Sequence, residues 1–435
     1  MTSLAIINYN KYYSIYHLEA AHCYVRRSSG TTNRLVSPVD HANMRIESVE
    51  TIPVEIPGKQ LDEPYGITPY VAGSRLDDLP TSLSFEEALE ANEGATRGAS
   101  KLLVKLTTDG DVTGWGEMKV PSMTTGATMI EELIAPTVIG KRVWEIESLL
   151  DEFHGFSSTY YTDVTAMLGG VEMAMWDAWG KHLDVPLHTL IGGKCVDEVP
   201  ISFCLGLMTP EESREHARFA LEEGFSVLKT KASRYWRTDV ERIIAMHDEV
   251  DGELEFRLDP NQRWAFEDAV RVGALLEDAG VYLQYLEQPI RVDTFGTYKR
   301  LRERLKTPIA VNEDAYFQYN IGHLLAEDAI DAAVIDLVPA GGILNLKRLA
   351  GLGAQAGISL SHHDNFDLGI KVAAKLHLIA STPAMNMPPD VTYYTFVDDV
   401  LAEPLTVEDG AMPVPDRPGI AGEIDEDTIE TYRAD

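Results

Sequence analysis

The chain has 435 residues, of which 45% are hydrophobic and 24% are charged, a globular composition that excludes disordered, collagen-like and disulfide-rich proteins. Asp and Glu outnumber Lys and Arg by 69 to 37, which gives a formal net charge of -32. This excess disfavours nucleic acid and anionic membrane surfaces as partners, and is compatible with an acidic-surfaced protein of a high-salt cytoplasm.

Cysteine usage and hydrophobicity bear on the compartment. The three cysteines, Cys23, Cys195 and Cys204, have no C-x-x-C spacing, so neither a zinc knuckle nor a disulfide framework is expected. Charges interrupt the apolar stretches well before the roughly 18 residues that a membrane helix needs. The apolar run at 4–7 is shorter than a signal-peptide core of about 7–15 residues. We therefore expect a cytoplasmic protein that does not bind membranes.

The N-terminal part of the chain predicts a small α+β unit. Residues 1–43 lack helical or strand periodicity and are predicted to form a loose extension. An alternating strand begins at Met44, and two more strands, 101–107 and 112–117, flank an Asp-Gly pair that is typical of a hairpin turn. Helical periodicity follows at 129–135 and at 164–182. In the second helix one apolar face is predicted, formed by Met167, Val171, Ala174, Met175 and Ala178.

From Val199 onward, short apolar runs alternate with helix-period segments at intervals of roughly 25–30 residues, which predicts repeated βαβ units and a parallel sheet. About eight such units would close a (β/α) barrel whose active site lies at the carboxyl ends of the strands. Residues 391–435, acidic and rich in Pro and Gly, are expected to return to the N-terminal unit. The predicted strands are 201–207, 227–231, 254–259, 283–287, 309–313, 332–338, 358–363 and 385–388, and the predicted helices are 210–223, 238–250, 265–279, 297–305, 318–326 and 344–356.

Ionisable side chains stand at the ends of six successive strands. Each alone is explained by a solvated strand end, a helix cap or a core histidine, but together they would meet in one pocket of a barrel. Burying so many unpaired charges would cost several kcal/mol each. A bound divalent cation would compensate the carboxylates, and oxygen ligands without clustered Cys or His favour Mg²⁺. The residues are Lys229 and Lys231, Asp259, Glu287, Asn312-Glu313, Asp336 and His362-His363.

This pattern resembles the enolase superfamily, specifically its mandelate-racemase-like acid-sugar dehydratases, from Met44 to the end of the chain. The resemblance implies an α/β fold: a modified (β/α)8 TIM-type barrel at 166–390, with an α+β capping domain at 44–165 completed by 391–435. The segment 170–177 is also similar to the family. Similarity to glucarate dehydratase in particular is seen at Asn365-Phe366-Asp367 and in the stretch from Glu403-Pro404-Leu405 through Pro418-Gly419.

The resemblance also implies a role for each strand-end residue. Asp259, Glu287 and Glu313 would be the Mg²⁺ ligands. Lys229 would assist electrostatically, and Lys231 would be a base whose pKa a neighbouring cation lowers. His363, oriented by Asp336, would be the base on the opposite face or the acid for a departing hydroxyl group.

Two assignments have alternatives. Asn312 stands where glucarate dehydratase has its third metal ligand, whereas racemase-like members place a Glu where Glu313 stands. A third carboxylate binds Mg²⁺ better than a neutral amide, which favours Glu313. His362 and His363 are adjacent, and counting from Gly341-Gly342 favours His363.

The implied reaction is removal of the proton α to a carboxylate through a metal-stabilised enediolate. Loss of the 3-hydroxyl then converts a sugar acid of the glucarate, galactarate or gluconate class into a 2-keto-3-deoxy acid. A racemase, epimerase or cycloisomerase is the nearest alternative, and a non-catalytic barrel that binds a ligand is another. The resemblance further implies a homo-oligomer. The substrate-binding candidates, each equally explained as an ordinary surface or loop residue, are Tyr70, Arg75, Asn261, Arg263 and Asn365.

Overall fold

The computed structural model describes residues 44–59, 65, 73–92, 98–156, 159 and 163–434. The predicted N-terminal extension 1–43 and the substrate-binding candidate Tyr70 lie outside the described residues. The described residues form an antiparallel sheet of three strands and a parallel sheet of seven. This arrangement is the predicted modified barrel with an N-terminal α+β capping domain.

The capping sheet is built as the hairpin pattern predicts. Its three strands pair in sequence order, and the turn between the second and third is closed by the Thr108 N–H, which donates to Val112 O at 3.1 Å. Asp111 takes a φ of 58°, a left-handed conformation that a short polar side chain tolerates. The strands are β1 (Ile46–Ile56), β2 (Ala99–Thr108) and β3 (Thr113–Met118).

The helix Thr165–Leu183 packs on this sheet and is buried on almost every side. The single predicted apolar face is therefore too narrow, since Glu172 and Asp177 are buried as well. The helix and β3 approach closely: a Cβ at Gly116 would lie 2.0 Å from Gly170 O. Glycine at this position of β3 is thus required by the contact.

Glu172, on the helix that packs against the capping sheet, caps a barrel helix. Its carboxylate accepts hydrogen bonds from the Ile343 N–H at 2.9 Å, the Leu344 N–H at 3.0 Å and the Trp176 indole at 2.6 Å. The first two donors belong to the first turn of the helix Ile343–Ala356, where N–H groups have no partner within the helix.

Replacing Glu172 with alanine is expected to destabilise the protein by about 3 kcal/mol, because three buried donors lose their acceptor. The measurement is denaturant unfolding of E172A against E241A, which removes an exposed helical glutamate and is expected to change stability little. Equal stability of the two variants would show that water replaces the carboxylate.

The barrel sheet is parallel, and its seven strands follow one another in chain order. Across the second and third of these strands, Lys229 pairs with Arg257 and Lys231 with Asp259, so charged residues of neighbouring strands stand side by side. β6 has the predicted bounds, and the other strands are shorter than predicted. They are β5 (Phe203–Leu205), β6 (Val227–Lys231), β7 (Glu255–Asp259), β8 (Tyr285–Glu287), β9 (Ile309–Val311), β10 (Ala332–Ile335) and β11 (Ser359–His362).

An additional helix, Gly369–Ala380, follows β11 and was not predicted. All twelve of its residues, including Lys371 and Lys375, are buried, so the helix lacks the exposed polar face by which an amphipathic helix is recognised. Among the helices of the described residues, none is both long and apolar enough to cross a bilayer. The barrel helices are Pro210–Glu222, Trp236–Glu249, Phe266–Asp278, Phe295–Arg302, Gln318–Ala326, Ile343–Ala356 and Gly369–Ala380; the other helical segments are Gly73–Asp77, Phe85–Glu90, Met123–Met129, Ile130–Ile134 (a π-helical turn where 129–135 was predicted), Ala135–Val138, Ile146–Glu152, Leu187–Leu190 and Glu426–Thr431.

The segment 385–390 closes the barrel. Its backbone donates to β11 from Met387 and Asp390 and accepts on its other side from Ser202, at 2.9–3.1 Å. The regular strand predicted at 385–388 does not form, because its neighbouring prolines have no N–H to donate to a ladder.

The end of the C-terminal segment forms hydrogen bonds with the first strand. Tyr432 O accepts from the Glu55 N–H at 2.9 Å, and Ala434 donates to the backbone of β1. The same segment contains β12 (Ala411–Pro413), which pairs antiparallel with β4 (Glu198–Pro200).

Candidate active site

The ends of β6, β7 and β8 place four of the predicted residues in direct contact. Lys231 Nζ donates to Asp259 Oδ2 at 2.5 Å, and Lys229 Nζ donates to Glu287 Oε1 at 2.6 Å. Lys229 also lies 3.6 Å from Asp259. These residues stand at the ends of neighbouring parallel strands, so their spacing in the sequence was sufficient to predict that they lie close together.

A further acidic residue, Asp390, completes this cluster and was not predicted. Its Oδ2 accepts from Lys229 at 2.7 Å, and its Oδ1 accepts from Arg257 at 3.1 Å and from the Ser202 hydroxyl at 3.0 Å. Although burial raises it, Lys229 and Arg257 hold the pKa of Asp390 well below its ordinary value. The signal that could have identified Asp390 is its position, two residues after the predicted eighth strand.

Glu313 joins the cluster through Asn261. The Asn261 N–H donates to Asp259 Oδ1 at 2.9 Å, and its side-chain amide donates to Glu313 Oε1 at 3.2 Å. Asn312 lies beside Glu313 but uses its amide elsewhere, donating to Val334 O at 2.8 Å and accepting from the Tyr316 hydroxyl at 3.1 Å. The structure therefore brings the carboxylate, rather than the amide, towards Asp259.

The three carboxylates Asp259, Glu287 and Glu313 fit a hard divalent cation. Glu287 Oε2 and Glu313 Oε2 are buried without a hydrogen-bond partner among the described residues. Burial, with the charges of Asp259 and Asp390, raises the pKa of Glu287 to about 8 despite the opposing charge of Lys229. Burial and the charge of Asp259 likewise raise the pKa of Glu313. A bound cation would supply the positive charge and the partners that these oxygens lack.

Glu287, His363 and Asp390 form another close group, with ligand atoms within 4.8 Å of one another. The ammonium of Lys229 already binds two of its members, Glu287 and Asp390. Glu287 therefore belongs both to this group and to the carboxylates around Asp259.

His363 lies beside Asp336 at the ends of β11 and β10. Its Nδ1 is 3.6 Å from Asp336 Oδ2 and 3.2 Å from the side-chain nitrogen of Asn365, which itself donates to Asp336 Oδ2 at 2.9 Å. The Tyr316 hydroxyl is 3.4 Å from the same ring nitrogen. Burial lowers the pKa of His363, and Asp336 opposes this shift.

His362 has a different environment. Its Nδ1 contacts His363 O at 2.6 Å, and its Nε2 accepts from the Leu337 N–H at 3.2 Å. Burial, reinforced by the charge of Lys375, lowers the pKa of His362 to about 3. A neutral ring held by the backbone at both nitrogens has no nitrogen left for substrate, whereas the ring of His363 lies beside Asp336.

The remaining substrate-binding candidates have mixed environments. Arg75 is exposed on the helix Gly73–Asp77. Arg263 donates to Asp77 Oδ2 at 2.6 Å and to two backbone carbonyls at 3.0 Å, so its guanidinium attaches that short helix to the barrel. Asn261 instead contacts Asp259 and Glu313, and Asn365 contacts Asp336 of the dyad.

Comparison with known proteins accords with this architecture. Residues 87–192 match the model of the mandelate racemase / muconate lactonizing enzyme N-terminal domain, and residues 212–428 match the enolase C-terminal domain-like model.

Similar proteins have several activities. The chain is 26% identical to the L-Ala-D/L-Glu epimerase of Bacillus subtilis, covering 79% of this chain and 93% of that protein. It is 26% identical to the arabinonate dehydratase of Saccharolobus solfataricus, covering 75% and 88%. The solved muconate lactonizing enzyme of Pseudomonas fluorescens superimposes with a TM-score of 0.77 over 90% of this chain and 100% of that one, at 23% identity.

Proposed function

Because the chain belongs to the enolase superfamily, in its mandelate racemase / muconate lactonizing enzyme branch, we propose that it dehydrates a sugar acid to a 2-keto-3-deoxy acid. The proposed substrate class is that of glucarate, galactarate and gluconate. In this proposal residues 44–165 and the returning segment 391–435 cover the barrel at 166–390.

The observation that carries the proposal is the presence of two proton-transfer groups around one set of carboxylates. Lys231 ends the second strand of the barrel and His363 follows the seventh. Asp259 and Glu287 end the third and fourth strands, and Glu313 follows the fifth. A substrate carboxylate held at the carboxylate cluster would have a base on each side of its α carbon.

Asp259, Glu287 and Glu313 are proposed to hold Mg²⁺. When bound, the cation would stabilise the negative charge that develops on the substrate carboxylate as the α proton leaves. Lys229, whose pKa is held well above its ordinary value because Asp390 and Glu287 outweigh the effect of burial, adds a fixed positive charge nearby.

The chain's own residues then account for the proton transfers. Lys231 removes the α proton as the C–H bond breaks, and the electron pair remains on the substrate. His363 donates a proton to the 3-hydroxyl as the C–O bond breaks, so that water leaves. The resulting enol takes up a proton at C3 and releases the proton of its C2 hydroxyl, which gives the 2-keto acid. Asp336 orients the imidazole and stabilises its protonated form.

The similarity to arabinonate dehydratase supports dehydration, as does the Asn365-Phe366-Asp367 loop, which resembles glucarate dehydratase. Racemisation or epimerisation is the second candidate, because bases on both sides of the α carbon also permit removal and return of the proton, and the similarity to an epimerase agrees with it. The two reactions differ in whether the 3-hydroxyl is lost.

We expect at least one acid among glucarate, galactarate, gluconate and arabinonate to give a 2-keto acid when Mg²⁺ is present and none to do so after EDTA treatment. The 2-keto product is measured colorimetrically, and the same reactions in deuterated water are followed by proton NMR. Exchange of the α proton without loss of the hydroxyl group would exclude dehydration in favour of racemisation.

A further inference from the structure

A second set of buried charges lies behind the His363–Asp336 dyad and has no role in the reaction as proposed. It connects the capping sheet with the loop after β11 and with the helix Gly369–Ala380. All of its side chains are at most 1% exposed. The members are Lys101 and Glu117 of the capping sheet, Asp364 and Asp367 of the loop, and Lys371 and Lys375 of the helix.

Lys371 contacts the dyad directly. Its Nζ donates to Asp336 Oδ2 at 2.8 Å, the same oxygen that lies 3.6 Å from His363 Nδ1 and accepts from Asn365. One oxygen of the catalytic carboxylate is therefore held by an ammonium and an amide while it faces the imidazole. Burial alone would raise the pKa of Asp336, but Lys371 holds it well below its ordinary value.

Lys371 is in turn held from the capping domain. Its Nζ also donates to Asp367 Oδ1 at 3.0 Å, and that oxygen accepts from Lys101 Nζ at 2.8 Å. Lys101 belongs to β2 of the capping sheet. From the neighbouring strand β3, Glu117 accepts the Leu368 N–H at 2.8 Å and the Lys371 N–H at 2.9 Å, so the first turn of the helix that carries Lys371 is fixed as well.

The backbone between Asn365, which contacts Asp336, and Asp367, which contacts Lys371, is strained at Phe366. Phe366 takes a φ of 65°, a left-handed conformation that is unusual for an aromatic residue. Its neighbours on either side, Asn365 and Asp367, contact Asp336 and the lysines respectively. Strain of this kind persists only where surrounding contacts over-determine the conformation. Buried ion pairs offset the cost of their desolvation only where their geometry is good. Here the Lys371 ammonium lies 2.8 Å from Asp336 Oδ2 and 3.0 Å from Asp367 Oδ1.

We propose that Lys371 is a positioning residue of the dyad: its ammonium holds the Asp336 carboxylate beside His363, and Lys101 of the capping sheet fixes that ammonium through Asp367. This inference rests on the proposed function, which gives the dyad its proton-transfer role. It means that the capping domain, besides covering the pocket, holds part of the catalytic machinery in place.

The test compares Lys371→Met with Lys375→Met. Lys375 is an equally buried lysine one turn later; it pairs with Asp364 at 2.8 Å and lies 3.4 Å from Asp367, but among the described residues it makes no ion pair with Asp336. With whichever of glucarate, galactarate, gluconate or arabinonate the parent converts fastest, K371M is expected to lower kcat by about 100-fold with KM nearly unchanged, as misplacement of a catalytic group does. Lys371→Arg is expected to recover part of the loss, and Lys101→Met to cause a smaller loss of kcat. K375M is expected to lower the Tm, and to lower kcat by no more than about threefold, because its ammonium lies farther from Asp367 than that of Lys371 and does not pair with Asp336.

A spectroscopic readout keeps the test independent of turnover. In protein with ¹⁵N-labelled histidine, K371M is expected to shift the ring nitrogen resonances of His363, assigned by their absence in a His363→Asn variant, whereas K375M is expected to leave them unchanged. If no sugar acid is converted, the proposed function fails, but the resonances still report on positioning. Equal changes in kcat, Tm and His363 resonances for K371M and K375M would overturn the inference, as would parental values of kcat in K371M. If K371M does not fold, unchanged kcat and resonances in both K371R and K101M would overturn it.

Discussion

Replacement of His363 with asparagine, H363N, is expected to lower kcat for dehydration by about 10³-fold, within the range that a general acid or base contributes. Asparagine keeps a polar group near Asp336 but cannot carry the proton that the departing hydroxyl needs. The measurement is the rate of 2-keto acid formation at saturating substrate.

Exchange of the substrate α proton distinguishes loss of the acid group in H363N from general damage to the active site. Because Lys231 is retained, H363N is expected to keep exchanging the α proton of the substrate with deuterated water while failing to eliminate the hydroxyl group. The matched control is His323→Asn, which changes an exposed histidine stacked on Phe295 and is expected to leave both rates as in the parent. Elimination at the parental rate in H363N would refute the assignment of His363 as the acid.

Replacement of Glu287 with glutamine, E287Q, is expected to abolish Mg²⁺-dependent activity and to weaken Mg²⁺ binding by more than about 100-fold. Loss of an outer residue around a metal site typically weakens metal binding by about 10–100-fold, and a direct ligand is expected to exceed that. Glutamine keeps an oxygen for Lys229, so the contact at 2.6 Å has a neutral replacement. Calorimetry with MgCl₂ measures the binding, and thermal unfolding with and without MgCl₂ shows whether the fold is intact.

Two further variants sharpen this second prediction. Glu313→Gln is expected to weaken Mg²⁺ binding in the same way if Glu313 is the third ligand. Glu255→Gln, an exposed glutamate at the start of β7, serves as the control and is expected to bind Mg²⁺ as the parent does. Parental Mg²⁺ binding in E287Q would show that the cation lies elsewhere.

Local periodicity was sufficient for much of the fold. The strand Val227–Lys231 has its predicted bounds, because the sequence of these five residues is sufficient to indicate a short strand. Regular βα spacing also placed Lys231, Asp259 and Glu287 at one end of the sheet, because parallel strands separated by one helix all end at the same edge. The helix Gly369–Ala380 was not predicted, because it is buried on all sides and its two lysines face buried carboxylates instead of solvent.

Contacts between distant segments were decided by the tertiary structure alone. Asp390 meets Lys229 only because an irregular, proline-containing segment closes the barrel. Both ring nitrogens of His362 contact backbone groups, at Leu337 and at His363, which leaves His363 as the candidate for proton transfer. The sequence of two adjacent histidines does not reveal which ring makes these contacts. Lys101 and Asp367 are 266 positions apart, yet their side chains lie at 2.8 Å. Sequence pattern indicates which residues lie near the end of a strand, because local hydrophobic periodicity is a property of neighbours along the chain, whereas the pairing of buried charges depends on how separate elements pack.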